Sequence, residues 1–254
     1  MTLGLPLSTM YAFLLVLARV GGLVAFLPVP GFKNAPDSIR VVLALTLTFA
    51  LFPVWPALPN TVAPISQLVA WAVSEAGFGL VAGLAVALLA EGFNLAAQVL
   101  GLQAGYGYAT TIDPTSQADA GILQVLAGLT TGLLFFSAGI DREVIRILAA
   151  SFQKFPAGSW NLSMANADGI MRLGAGVFSL GVRMAMPVIA LLLLIDLALA
   201  LLGRMQQQLQ LLSLAFPMKM MAALALLAVL APVMARLFES AAAHTLDVLW
   251  HVVL

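Results

Sequence analysis

Cysteine is absent from the sequence, which excludes disulfide bonds and metal sites built on thiolates. Charge is also scarce: Asp, Glu, Lys and Arg make up 9% of the 254 residues, whereas hydrophobic residues make up 62%. A water-soluble protein of this size could not cover its surface with so few charged side chains. Together with a mean hydropathy of +1.06, this composition predicts an integral membrane protein.

Neither sign of charge is in excess, because eleven Lys and Arg residues balance eleven Asp and Glu residues. The net charge therefore points to neither nucleic acid nor an acidic partner. No Ser/His/Asp order, phosphate-binding loop or metal motif is present in the sequence. His244 and His251 have no third ligand at metal spacing, and we interpret them as a surface pair. We expect a protein that is not an enzyme and that uses no cofactor.

Six hydrophobic segments reach, or come close to, the length at which a helix crosses a bilayer. They are Tyr11 to Leu27, Ile39 to Val54, Leu68 to Leu89, Ile122 to Ile140, Val177 to Leu202 and Met218 to Phe238. The sequence therefore predicts an all-α, polytopic membrane protein with a single domain over residues 1–254. The third helix continues to Gln103, and its roughly 50 Å at 1.5 Å per residue exceed a bilayer core. It must tilt, leave the bilayer or be covered by other protein.

Two segments outside these six are predicted to form amphipathic helices. One contains Ile145, Leu148, Phe152 and Phe155, which recur at helical spacing and so share one face. We expect this face to lie against lipid or a partner. The other segment is the tail from Ser240 to Leu254.

The stretch from Gly101 to Gly121, GLQAGYGYATTIDPTSQADAG, separates two of the most hydrophobic segments. Its glycines and Pro114 favour non-helical backbone, so the long helix must break here. Two interpretations stay open: an exposed loop at the membrane surface, or irregular backbone at membrane depth that acts as a gate or plug. The residues assigned to the plug are Gly105, Tyr106, Gly107, Tyr108, Thr110, Thr111, Ile112, Asp113, Pro114 and Asp119.

Five ionisable side chains fall inside the hydrophobic helices. They are Arg19, Glu75, Glu91, Arg183 and Asp196. Such groups are costly in a membrane, and they mark either a transport pathway or a packed pair. Glu75 and Glu91 are about 24 Å apart along one helix, so they cannot form one carboxylate dyad. The favoured interpretation pairs each group with a neighbouring helix or subunit. An ion-coupled secondary transporter is the alternative, and a membrane scaffold without a pore is a third hypothesis.

Small residues recur four positions apart, a spacing that lets membrane helices approach closely. The pairs are Gly79 with Gly83, Gly101 with Gly105, and Gly128 with Gly132. Three such pairs predict dense helix packing around the broken stretch.

Several short motifs are spread in order along nearly the whole chain. They are Arg19; Val29 to Phe32 with Pro36 and Arg40; Glu75 to Gly79; Ala97 to Gly105; Ile112 to Pro114; Ser151, Phe152, Pro156 and Gly158; and Phe216 to Lys219. Together they resemble the FliR family of flagellar biosynthetic proteins. The Gly-Leu-Gln-Ala-Gly and Ile-Asp-Pro elements favour the flagellar form over its virulence-secretion relative. The family's usual Pro-Gln-Leu-Asn is replaced here by Gln206-Gln207-Gln208-Leu209-Gln210. The residues assigned to this final hairpin turn are Gln206, Gln207, Gln208, Phe216, Pro217 and Lys219.

The resemblance implies a subunit of the type III protein export gate in the bacterial inner membrane, at the flagellar basal body. In that family FliR joins FliP and FliQ in a helical, pore-forming assembly, with FlhB and FlhA beside it. Unfolded flagellar proteins pass through this assembly. The resemblance also implies that the loop corresponding to Tyr106 to Asp119 lies in the pore as a plug.

Overall fold

The structure, a computed structural model, describes residues 6–27, 36–58, 64–106, 121–161, 164–205 and 211–253. Within these ranges it contains seven α-helices, one short 3-10 turn at Phe52–Val54, and no strand. The helices are α1 (Leu7–Phe26), α2 (Asp37–Ala50), α3 (Ile65–Ala104), α4 (Ile122–Ser137), α5 (Ile140–Lys154), α6 (Met164–Met205) and α7 (Leu211–Val253). The prediction of an all-α protein is confirmed.

Four of the described helices, α1, α3, α6 and α7, are long and apolar enough to cross a bilayer. Helices α4 and α5 form a fifth candidate if they are counted as one span, although they meet at a bend of 62°. Four of the six predicted segments lie on these long helices. The second covers α2, which has only 14 residues, and the 3-10 turn, and the fourth runs from α4, which has 16 residues, over the bend to the start of α5. The polytopic membrane protein predicted from composition is therefore confirmed, with α2 too short to span on its own.

Three helices are much longer than an ordinary span. Helix α3 has 40 residues, which confirms the overlong third helix. Helix α6 has 42 residues, and α7 has 43. Helix α7 continues without a break through Ser240, where a separate tail helix was predicted to begin. That separation was wrong because the alanines after Ser240 extend a helix, and no glycine or proline interrupts them.

The chain divides into two compact units. Unit one comprises Met1–Leu88, Phe135–Gly174 and Ala242–Leu254, and unit two comprises Leu89–Leu134 and Ala175–Ala241. Each unit is therefore assembled from segments that are distant in the sequence. The single domain over residues 1–254 stays a prediction.

In unit one, α1 and α3 cross with their backbones in direct contact. A Cβ atom on Gly79 would lie 2.0 Å from the carbonyl oxygen of Arg19, and one on Gly83 would lie 2.6 Å from that of Leu23. Only glycine leaves room for such an approach. The close packing predicted for the Gly79 and Gly83 pair is confirmed.

The first glycine of each of the other two pairs does not act in the same way. A Cβ atom on Gly101 or Gly128 would meet no atom within 4 Å in the described part of the chain. Gly105 does meet a neighbour, because a Cβ atom there would lie 2.6 Å from Phe216 Cδ1. Dense helix packing around the broken stretch stays a prediction, since most of that stretch lies outside the described residues. Glycine spacing alone does not reveal which face of a helix meets a neighbour.

Helix α5 packs inside unit one. Its buried residues are Ile140, Val144, Ile147, Leu148, Ser151 and Phe152. Leu148 and Phe152 were predicted on this face, but Ile145 is 37% exposed. Val144 and Leu148 line a small apolar cavity together with Leu23 of α1. The chain itself thus covers this face, which corrects the expectation that lipid or a partner would.

Unit two packs the last part of α3 against α6 and α7. The rings of Phe93 and Phe238 meet edge to face, with centroids 5.3 Å apart. A Cβ atom on Gly181 would lie 3.2 Å from the carbonyl oxygen of Gly92, so α3 and α6 also approach closely. These contacts hold α3, α6 and α7 together within unit two.

Candidate functional site

Arg19 of α1 and Glu75 of α3 form a buried ion pair in unit one. Arg19 Nε donates to Glu75 Oε2, and the two side chains are 0% and 1% exposed. Arg19 Nη1 also donates to Ser151 Oγ at 2.7 Å, and Nη2 donates to the carbonyl oxygen of Phe155 at 3.4 Å. One guanidinium therefore connects α1, α3 and the C-terminal end of α5.

The second oxygen of Glu75 binds the turn that follows α5. The backbone N–H of Gly158 donates to Glu75 Oε1 at 2.8 Å. Gly158 has φ +75°, and a Cβ atom there would lie 1.8 Å from Trp71 Cδ1. Ser74 Oγ donates to the carbonyl oxygen of Trp160 in the same turn. Position 158 therefore requires glycine, because of its positive φ and because Trp71 leaves no room for a side chain.

Aromatic rings enclose the Arg19 guanidinium. Its Cζ atom lies 4.8 Å from the ring centroid of Phe78 and 4.3 Å from that of Phe152. Phe78 in turn packs edge to face on Trp160, with ring centroids 5.7 Å apart. The ring faces attract the cation and exclude water from the pair. Both carboxylate oxygens and all three guanidinium nitrogens are engaged, so this site binds the helices together.

A second ion pair joins α6 and α7 in unit two. Lys219 Nζ donates to Asp196 Oδ2 at 3.0 Å. The Lys219 side chain is 13% exposed, whereas that of Asp196 is 41% exposed. The cation is thus covered while the carboxylate stays open on one side.

The remaining two of the five ionisable residues predicted inside the hydrophobic helices, Glu91 and Arg183, are exposed in unit two. Glu91 accepts a hydrogen bond from the side-chain amide of Asn94 at 3.2 Å, and Arg183 is exposed on α6. Within the ranges that the structure describes, no three His, Asp or Glu residues are placed to hold a metal ion. Both histidines are exposed on α7, as the surface-pair interpretation predicts.

Helix α3 ends at the beginning of the broken stretch. Gly105 has φ +88°, its N–H donates to the Leu102 carbonyl, and the N–H of Tyr106 donates to the Gly101 carbonyl at 2.9 Å. These two bonds and the left-handed residue form a Schellman motif, which satisfies the last carbonyls of a helix. The predicted helix break is confirmed, and it falls at Gly105.

Helix α7 holds this helix end in place. The hydroxyl of Tyr106 donates to the carbonyl oxygen of Met220 at 3.1 Å. A Cβ atom on Gly105 would lie 2.6 Å from Phe216 Cδ1, so the ring lies directly over the glycine. Burial raises the pKa of the Tyr106 phenol, which keeps the hydroxyl protonated as a donor.

Most of the predicted plug and part of the predicted turn lie outside the described residues. The predicted residues in question are Gly107, Tyr108, Thr110, Thr111, Ile112, Asp113, Pro114 and Asp119 of the loop, and Gln206, Gln207 and Gln208 of the turn. The described residues among those assigned to the final hairpin turn lie in α7 and make different contacts. Phe216 covers Gly105, Lys219 binds Asp196, and Pro217 is exposed within α7.

Sequence reasoning missed several partners in the buried cluster of unit one. Ser151 and Gly158 were noted only as part of a resemblance, and Trp71 and Trp160 were not considered. The distance in sequence is the reason, because Arg19 and Ser151 are 132 positions apart. The available signal was a serine among apolar residues in an amphipathic helix, where it could meet a buried charge.

Comparison with known proteins gives matches over nearly the whole chain. A family model described as bacterial export proteins, family 1, matches residues 10–245. The flagellar biosynthetic protein FliR of Escherichia coli (strain K12) is 30% identical over 234 residues, covering 92% of this chain and 89% of the relative. FliR of Aquifex aeolicus (strain VF5) is 29% identical over 192 residues, covering 76% and 74%. FliR of Bacillus subtilis (strain 168) is 25% identical over 211 residues, covering 82% and 81%. The chain therefore belongs to the bacterial export proteins, family 1.

Proposed function

We propose that this chain is a membrane subunit of the bacterial flagellar protein export apparatus. In this role it lies in the inner membrane at the basal body and forms, with FliP and FliQ, the channel for unfolded flagellar proteins, with FlhB and FlhA beside it. It positions and seals this channel and is not an enzyme. The observation that carries the proposal is the match over residues 10–245, supported by a FliR relative that the chain covers to 89%.

The long helices leave apolar surface that partner subunits can cover in a larger assembly. The most apolar windows of α6 and α7 are only 17% and 11% buried, whereas those of α1 and α3 are each 44% buried. A membrane protein that works alone covers such helices with lipid or with its own helices. A subunit of a helical assembly can leave them for its partners.

The arrangement of charges weighs against the ion-coupled transporter. A transporter needs ionisable groups that converge on a substrate or ion near the middle of the membrane. Arg19 and Glu75 instead form an ion pair, and their remaining polar atoms bind neighbouring residues of unit one. Asp196 is paired with Lys219 in unit two.

The proposal includes a role for the loop from Gly105 to Gly121 as the seal of the channel. Its glycine-rich and polar sequence lies between two apolar helices, and irregular backbone is tolerated at membrane depth only where protein or water surrounds it. The contacts of Gly105 and Tyr106 with α7 give this loop a fixed starting point. Asp113 and Pro114 are its proposed bend.

The proposed function is tested by purifying the tagged protein in mild detergent from its native membrane and identifying the bound proteins by mass spectrometry. We expect two smaller helical membrane proteins, similar to FliP and FliQ, in one large particle, and loss of motility when the gene is deleted. Recovery of the wild-type protein alone, with transport by the reconstituted chain, would support the transporter instead.

A further inference from the structure

The start of the Gly105–Gly121 loop is held by a short segment of α7. The ring of Phe216 lies over Gly105, because a Cβ atom there would be 2.6 Å from Phe216 Cδ1. Further along α7, the carbonyl oxygen of Met220 accepts a hydrogen bond from the hydroxyl of Tyr106 at 3.1 Å. Phe216 and Met220 are about one helical turn apart. A single turn of α7 therefore holds the end of α3 at two points.

Lys219 lies in the same turn of α7 and connects it to α6. Its Nζ atom donates to Asp196 Oδ2 at 3.0 Å, and its side chain is 13% exposed. A covered ammonium is costly to leave without a counterion, so the register of α7 that brings Lys219 to Asp196 is favoured. A slip of α7 by one residue would rotate it by about 100° and separate the pair. The same slip would carry Phe216 and Met220 away from the end of α3.

Pro217 makes this turn of α7 more dependent on such contacts. Proline has no N–H, so residue 217 donates no backbone hydrogen bond to the preceding turn of the helix, which begins at Leu211. The first turns of α7 therefore have less support from their own backbone than an uninterrupted helix has. Contacts with α3 and α6 must contribute more to their position.

We propose that the Asp196–Lys219 ion pair positions the start of the Gly105–Gly121 loop by fixing the register of α7 against α6. In that register α7 meets Gly105 and Tyr106. This inference rests on the proposed function, because it takes the loop as the seal of the channel. It goes further in assigning two charged residues outside the loop as positioning residues for that seal.

The first test compares ion leakage with assembly in the full complex. Asp196→Asn keeps the size of the side chain and removes its charge. We expect it to raise the leak, measured with a membrane-potential dye, by roughly threefold to tenfold, the change in an equilibrium when one interhelical contact is lost. Asp196→Glu keeps a carboxylate and should leak less than Asp196→Asn. Partner subunits should co-purify with both variants.

Two outcomes of this test would overturn the proposal. Loss of the complex in Asp196→Asn would show that the ion pair serves assembly and not the loop. An assembled Asp196→Asn complex that stays tight, although a complex with a shortened loop leaks, would show that the seal does not depend on the pair.

A double-variant cycle with Tyr106→Phe tests whether the ion pair acts through α7. If Asp196→Asn already releases the contact of α7 with Tyr106, removing the hydroxyl as well adds little. We therefore expect the double variant to leak about as much as Asp196→Asn. Fold-changes that multiply would mean that the two residues act independently, which would contradict the proposal.

A matched control lies in the same unit, away from the loop. The rings of Phe93 and Phe238 join α3 to α7, with centroids 5.3 Å apart. Phe238→Leu weakens this contact and leaves residues 216–220 unchanged, so the leak should stay at the wild-type level. An equal leak in this variant would mean that any loss of stability in unit two opens the channel, and the assignment to Asp196 would be wrong.

Hydrogen exchange gives a second readout that does not depend on the seal. In the Asp196→Asn complex, we expect the amides of residues 101–106 and 216–220 to exchange roughly threefold to tenfold faster, because their local opening becomes easier. The amides around Phe93 should exchange as in the wild type. A uniform increase across unit two, or no increase at residues 101–106, would contradict a positioning role.

The two readouts separate this inference from the proposed function. If exchange increases locally in Asp196→Asn while a complex with a shortened loop stays tight, the ion pair positions the loop and the loop is not the seal. If the shortened loop leaks while Asp196→Asn changes neither leak nor exchange, the seal stands and the inference about the ion pair is wrong.

Discussion

The backbone amide of Gly158 donates a 2.8 Å hydrogen bond to Glu75 Oε1, while Arg19 binds the other oxygen of the same carboxylate. Glu75 thus joins α1 to the turn after α5. Gly158 in that turn lies 83 positions after Glu75 in the sequence. The two buried charges are tolerated because each nitrogen of the guanidinium and each oxygen of the carboxylate has a partner. Removing one member of the pair leaves the other charge buried without its counterion.

Removing Arg19 alone is expected to be strongly destabilising. Arg19→Met leaves the Glu75 carboxylate buried without its cation, and breaking a buried pair in this way costs about 3–5 kcal/mol. The double variant Arg19→Met, Glu75→Met should recover part of this loss. The measurement is the free energy of unfolding in detergent. Arg172→Met is the control, because its pair with Asp168 is exposed and should contribute less than about 1 kcal/mol.

Gly158→Ala should destabilise the protein more than Gly139→Ala. Both glycines have positive φ, and Ala in that conformation costs about 1–2 kcal/mol. A Cβ atom at Gly158 would also collide with Trp71, whereas one at Gly139 would meet nothing within 4 Å. Thermal unfolding of the two variants side by side checks this, and equal midpoints would contradict the steric contribution of Trp71.

The crossing of α1 and α3 should tolerate no side chain at Gly79. Gly79→Ala places a methyl group against the backbone of Arg19. The two helices cannot move apart to make room without disturbing the Arg19–Glu75 ion pair. We expect a large loss of folded protein, measured by size-exclusion chromatography in detergent. Gly21→Ala in α1 is the matched control, because a Cβ atom there meets nothing within 4 Å, and it should behave as wild type.

Tyr106→Phe should weaken the attachment of the loop base to α7. The lost hydrogen bond to the Met220 carbonyl corresponds to about 0.5–1.5 kcal/mol of stability. The pKa of this phenol is raised, so the protonated form is favoured in the folded state. Its contribution is therefore complete at neutral pH and declines only as the pH rises through the raised value, above about 10. Unfolding measured across this alkaline range should lose that decline in Tyr106→Phe.

Shortening the loop between Gly105 and Gly121 should make cells leaky to small ions while the complex still assembles. Permeability is measured with a membrane-potential dye, and assembly is measured by co-purification of the partner subunits. Pro114→Ala is expected to loosen the bend and produce a weaker leak. A membrane that stays tight after the deletion would contradict the seal and would favour a scaffold without a pore.

Much of the helical framework could be predicted from local properties of the sequence. Hydrophobic length located α1, α3 and α6, and the glycines and Pro114 of the Gly101–Gly121 stretch predicted that α3 ends within it. The interpretation that buried charges are paired also agrees with the observed Arg19–Glu75 and Asp196–Lys219 contacts.

The partners in the buried cluster could not be predicted in the same way. The predicted face of α5 contained Ile145, Leu148, Phe152 and Phe155, and it left out Ser151. In the structure Ser151 is fully buried because Arg19 binds it, and this rotates the buried face toward Val144 and Ile147.

The composition of unit one has a consequence for the order in which the protein can mature during synthesis. Its first segment ends at Leu88, but Ala242–Leu254 also belongs to it, and Leu249 lines the same cavity as Leu23 and Phe78. Unit one is therefore complete only when residues 242–254 have been added to the chain. A nascent chain that stops before residue 242 would carry an open first unit, and its exposed interior would give cellular proteases a way to recognise an unfinished subunit.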